Sequence, residues 1–212
     1  MARGRRRVED PATARRILAA AESHFAARGL AGARTEEIAT AAHANKAMLY
    51  YYFGDKRRLH RAVLENLMRQ LRSSVFAPPR KKLRPRERFF EYVNGYFDFL
   101  AAHPNYPRLV QRQAMESRPE FEGTVRELFR PLHREFSRTI EEGIAQGEFR
   151  AVDVDQIAML TIQMTTSYFA TAAMLGRMIG RDMLAPEAIA ARKRALFDFL
   201  EHGLAPKGEK AR

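Results

Sequence analysis

The chain has 212 residues, no Cys, and a formal net charge of +12 from 37 Lys and Arg against 25 Asp and Glu. The missing Cys excludes a disulfide scaffold, a thiolate metal site and a cysteine nucleophile. Hydrophobic residues, at 46%, suffice for a packed core and argue against global disorder.

The positive charge is concentrated early. Residues 1–80 hold 16 Lys and Arg against 7 Asp and Glu, a net of +9, and the rest of the chain nets only +3. Such a field suits a polyanion, most commonly nucleic acid, and a basic solubilising surface explains it about as well on charge alone. No stretch reaches the ~18 apolar residues of a membrane span, so no membrane partner is expected. The start is basic, with Arg3, Arg5, Arg6 and Arg7, but no apolar region of a secretory signal follows. The expected location is the cytoplasm. The arginine arm reads either as a minor-groove or phosphate contact or as a solvated tail.

Helical periodicity runs through nearly the whole chain. From Pro11 to Arg28, Ile17, Leu18, Ala21 and Phe25 form one apolar stripe. Asp10 is the expected N-cap, Pro11 the first helical residue and Gly29 the stop. A short second helix is expected from Thr35, its hydroxyl capping the first turn, to about Ala42. His43-Ala44-Asn45 reads as a turn, with Asn45 capping a third helix from Lys46 to Phe53. Gly54-Asp55 breaks it, and a long fourth helix keeps Leu59, Val63, Leu67, Leu71 and Val75 on one side.

Pro78, Pro79 and Pro85, among Arg80, Lys81, Lys82 and Arg84, mark a division. Beyond it, helices are expected over 86–103, 109–117, 120–146 (with a kink at Pro131), 153–175 and from Pro186 to just before Gly203. The class is all-α, with about nine helices. An N-terminal domain is expected over 11–71 and a larger helical one over 86–205.

Residues 34–53 have the form of a helix-turn-helix. A helix fits the major groove of B-DNA and presents its N-terminal residues to base edges. Tyr50, Tyr51 and Tyr52 are consecutive and point about 100° apart, so a small core cannot bury all three. At least one hydroxyl must project outward, where a phosphate oxygen would suit it.

Four ordered blocks then carry a resemblance: Ile17-Leu18-Ala19-Ala20-Ala21, Phe25-Ala26-Ala27-Arg28-Gly29, Thr35-Glu36-Glu37-Ile38-Ala39, and Lys46 through Lys56. Together they resemble the DNA-binding domain of the tetracycline-repressor (TetR) family. The resemblance implies a repressor that binds a near-palindromic double-stranded DNA operator as a homodimer and responds to a small molecule. It implies that Thr35 bonds a phosphate, that Lys46, Ala47 and Met48 lie near bases, that Tyr50 and Tyr51 contact bases or backbone, and that Tyr52 and Lys56 hold flanking phosphates. Two positions depart from the family pattern. His43-Ala44-Asn45 replaces the common Gly-Val-Ser turn, and Ala47-Met48 replaces the common Gly-Thr pair.

The larger half has no catalytic motif, no metal-ligand spacing among its His and no cofactor fingerprint. No enzyme activity and no cofactor are expected. Its aromatic and Met side chains read as core or as an effector pocket. Phe89, Phe90, Phe97, Met115, Phe121, Met164 and Tyr168 are the candidate lining for an apolar or aromatic ligand. Ile157, Leu160, Leu196, Phe199 and Leu200 are the candidate dimer faces, which would form a four-helix bundle between subunits. The competing class is a helical ligand-binding or scaffold protein without specific DNA binding.

Overall fold

A computed structural model describes residues 10–76, 83–116 and 119–206, without the side chains of 116–121. The arginine arm, residues 78–82 and the side chain of Phe121 lie outside the described residues. All the regular structure described is helical, with no strand. The chain divides into two compact units, Met1–Asn66 and Leu67–Arg212.

The first unit holds α1 (Pro11–Gly32), α2 (Thr35–Ala41), α3 (Lys46–Phe53) and the start of α4 (Lys56–Val75). Asp10 accepts from the amides of Ala12 and Thr13, and Pro11 opens α1 without wasting an amide donor. Gly29 takes φ 69, which interrupts the regular helix where a stop is expected, and one further turn follows it. Thr35 is not the cap of α2. Arg34 holds that position, and its carbonyl accepts from the Ile38 amide at 3.1 Å. Thr35 is already helical, which takes its side chain away from the free amides. Ile17, Phe25, Ile38, Leu49 and Leu59 are fully buried and form the core of the unit.

The second unit contains the rest of α4, then α5 (Pro85–Ala102), α6 (Asn105–Glu116), α7 (Pro119–Thr124), a π-helical segment (Val125–Phe129), α8 (Arg130–Ala145), α9 (Val154–Ala170), α10 (Ala172–Ile179) and α11 (Pro186–Leu204). The expected helix over 120–146 is thus three pieces. Pro131 has no N–H and crowds the carbonyl one turn back, and the chain accommodates it by widening just upstream. There the Arg130 amide reaches Val125 O, five residues back. The expected helix over 153–175 breaks at Thr171, which has φ −104 and ψ 7. α6 starts four residues earlier than expected and takes in Pro107, which the first turn of a helix tolerates.

Aromatic packing joins these helices. Phe89 stacks on Phe136 at 5.1 Å, and Phe97 meets Phe169 edge-on at 5.1 Å. The ring of Phe149 lies directly on Gly143, where a Cβ would come within 2.3 Å of Phe149 Cδ2. Arg88 of α5 bonds Glu142 of α8 and also donates to Thr139 at 3.3 Å.

In the first unit His60 is buried edge-on against Phe25 at 4.9 Å, and burial pushes its imidazole down to about 4. Above pH 6.5 the ring is neutral both folded and unfolded. As pH falls below that, the unfolded chain takes up a proton that the folded one refuses, until about pH 4. This group is therefore expected to remove up to about 3 kcal/mol of stability across that window. Chemical denaturation of the wild type and His60→Leu at pH 7.5 and 4.5 checks this: the variant should lose clearly less stability on acidification.

Candidate nucleic-acid interface and cavity

The turn between α2 and α3 is held by local bonds. The amide of Ala44 donates to Ala39 O at 2.9 Å and that of His43 to Thr40 O at 3.0 Å. This is a Schellman closure, and it places His43 in the left-handed region at φ 50, where glycine is the usual residue. Asn45 then caps α3, its Oδ1 accepting from the Met48 amide at 2.8 Å. Gly54, at φ 78, closes the other end.

α3 buries Leu49 alone. Tyr50 and Tyr51 stay 39% and 60% exposed. Lys46 and Ala47 are exposed and Met48 is half-buried. Lys46 bonds Glu36 of α2, and its ammonium lies 5.7 Å from the centre of the Tyr50 ring. The bond to Lys46 holds the Glu36 carboxyl below its ordinary range, and the same bond holds the ammonium of Lys46 above its own. Thr35 is buried, with its hydroxyl 3.4 Å from that of Tyr50. Thr35, Lys46 and Tyr50 therefore converge at one end of α3.

Tyr52 and Lys56 lie elsewhere and are tied internally. The Tyr52 hydroxyl accepts from the Asp10 amide at 3.0 Å and donates to the Asp10 carbonyl at 3.3 Å. The ammonium of Lys56 donates to Ala31 O and Ala33 O, both at 3.2 Å, at the end of α1. A cation there satisfies carbonyls that helix geometry leaves open. No local rule in the sequence indicates either tie, because the partners are 42 and 23–25 residues away.

The second unit contains a cavity of about 500 Å³ that is open on one side. Its wall is mostly apolar and comes from Met68, Leu71 and Val75 of α4, from α5, α6, α8 and α9, and from the π-helical segment. Phe89 and Phe97 are fully buried core instead, Met115 is 86% exposed, and the Tyr168 hydroxyl is used by the Met183 carbonyl at 2.5 Å. Neither these four nor Phe90 and Met164 line the cavity. The lining that sequence reasoning missed includes Tyr92, Tyr96, Tyr106, Val110, Arg130 and His133. A stripe of three residues at four-residue spacing, Tyr106, Val110 and Ala114, runs along α6 and is the signal available in the sequence. The Tyr96 hydroxyl lies 2.7 Å from Thr166 Oγ1 and also bonds Tyr106, and burial raises it to about 12.

Among the candidate dimer residues, Leu196 and Leu200 are buried within the chain, Ile157 is half-buried, and Leu160 and Phe199 are 48% and 62% exposed. α10 adds exposed Met174, Met178 and Ile179.

Residues 17–63 match the family model for bacterial regulatory proteins of the tetR family, and residues 85–200 match that for the tetracyclin repressor-like C-terminal domain, more than half of the chain. The chain belongs to the TetR family. The HTH-type transcriptional repressor SCO4008 of Streptomyces coelicolor is 40% identical over 108 residues, covering 50% of this TetR-family chain and 53% of the relative. The HTH-type transcriptional repressor NicS of Pseudomonas putida is 31% identical over 148 residues, 63% of this chain and 64% of its own. The chain thus matches between half and two thirds of the length of these relatives. The ketosteroid transcriptional regulator KstR2 of Mycobacterium tuberculosis shares the TetR-family fold, with a TM-score of 0.75 at 19% identity over 94% of this chain and 97% of that one. No described helix is long and apolar enough to cross a membrane.

The left-handed His43 gives a direct test of the turn. Relieving a non-glycine αL residue should outweigh glycine's greater freedom in the unfolded chain, so His43→Gly is expected to gain about 0.5–1 kcal/mol. Thermal melting checks this, and an unchanged or lower midpoint would contradict the assigned turn geometry.

Proposed function

We propose that the protein is a ligand-responsive transcriptional repressor that binds a near-palindromic operator as a homodimer. The observation carrying this reading is the capped α3, which buries only Leu49 and keeps Lys46, Ala47, Tyr50 and Tyr51 open beside Thr35. A helix of this form reads base edges from its N-terminal end, while hydroxyls and cations hold phosphates. The named repressors among its relatives support the same reading.

Within it, residues 11–71 form the DNA-binding domain and 86–205 the effector-binding and dimerisation domain. Lys46, Ala47 and Met48 face bases. Thr35, Tyr50 and Tyr51 serve bases or backbone. Tyr52 and Lys56 act first by fixing α1 against α3 and α4, and any phosphate contact uses what hydrogen-bonding capacity those ties leave. The cavity receives the effector. α4 runs unbroken from Lys56 to Val75, and its last two turns line the cavity, so a displacement of α4 is the proposed route of response. The ligand acts only insofar as it prefers the DNA-free state, by ~1–3 kcal/mol for typical couplings.

Selection of bound fragments from genomic DNA tests the function and yields the operator; recovery of no enriched duplex at physiological salt would favour the scaffold reading. On the recovered site, Lys46→Ala/Tyr50→Ala should lose specific binding by ~100-fold or more, at 1–3 kcal/mol for each good base contact. A mobility shift equal to wild type would displace the recognition helix from α3. For the dimer, Leu160→Glu/Phe199→Glu should give a monomer in light scattering and a large loss of operator affinity.

A further inference from the structure

The polar groups of the cavity are unevenly supplied with partners. At one place the Tyr96 hydroxyl bonds both Tyr106 and Thr166, which stands behind the wall, and Tyr106 also donates to Met68 Sδ at 3.7 Å. This cluster is neutral and its hydroxyls are already hydrogen-bonded, so it has little to offer a charged ligand. At another place the first turn of α8 contributes Arg130 and His133, three residues apart and so on one helix face. Arg130 has no ion-pair partner among the described residues. Among the described residues that line the cavity there is no Asp or Glu. Neither Asp155, which stands 3.8 Å from His133 Nε2, nor Glu135, which accepts from Tyr92 at 3.3 Å, is a lining residue.

A fixed positive charge without a carboxylate, at the edge of an otherwise apolar hollow, selects one kind of molecule. We propose that the effector is an amphipathic monocarboxylate, with its apolar body in the cavity and its carboxylate paired with the Arg130 guanidinium, His133 being a second donor. A guanidinium presents two parallel N–H donors to a carboxylate, a match that an alcohol or an ammonium ligand cannot make. The volume of about 500 Å³ falls within the ordinary range for small-molecule sites. This inference rests on the cavity being the effector site, and it adds the charge that the ligand must carry.

The test is calorimetric titration of the full chain without DNA, using decanoate, 1-decanol, decyltrimethylammonium and 2-naphthoate. At least one of the two acids should bind at least ten times more tightly than the alcohol, and the cation should not bind. Comparing decanoate with 2-naphthoate tells an aliphatic body from an aromatic one. Arg130→Gln should bring the favoured acid to within about threefold of the alcohol, while Arg130→Lys should keep most of the preference. Because Arg130 is exposed, both variants should melt close to wild type. The proposal is overturned if the alcohol or the cation binds as well as the acids, if neither acid binds, or if Arg130→Gln leaves the preference intact. The readout contains no DNA, so failure here leaves the operator assay to judge the regulatory reading separately.

Discussion

An eight-residue helix is not stable by itself in water, because nucleation fixes many dihedrals for few hydrogen bonds. α3 buries one side chain, Leu49, so packing against its own core cannot supply all the missing stability. The rest comes from polar closures at its ends and flanks: the Asn45 cap, the Lys46–Glu36 pair, the Gly54 stop and the Tyr52 hydroxyl on Asp10. That arrangement frees the exposed side of α3 for another molecule. A helix held mainly by an apolar stripe would have to spend more of its circumference on the core.

The second unit solves a different problem with the same means. Its helices pack through aromatic contacts that leave a hollow among α4, α5, α6, α8 and α9. Interiors normally close to high density. Here the wall is built from aromatic rings of several helices and from the π-helical segment, which contributes Val125 and Phe129. The Tyr96 hydroxyl can be buried because Thr166 and Tyr106 satisfy it, and the low polarity around it raises its pKa.

How much of this could be read from the sequence depends on the range of the interaction. Caps and stops are local, so Asp10, Asn45, Gly29 and Gly54 follow from residue type and spacing. The exposure of Tyr50 and Tyr51 follows from helix geometry. The cap of α2 falls one position before Thr35 because Arg34, an unusual cap residue, closes the helix through its backbone alone. The pocket was harder to read. An aromatic stripe shows that a face is apolar, but not whether it meets a neighbour or a void. Phe89 and Phe97 turned to the core while Tyr96 and Tyr106 border the hollow, and only the packing of several helices distinguishes them. Pro131 announced an irregularity, whereas its resolution as a π turn upstream depends on the surrounding packing.

The bond between Tyr52 and Asp10 also links two helix ends that lie far apart in the sequence. It anchors the beginning of α1 to the same helix that carries Lys46 and Tyr50. Removing that hydroxyl would therefore loosen the start of α1 and the flank of α3 together, so a substitution made on one helix is felt on the other.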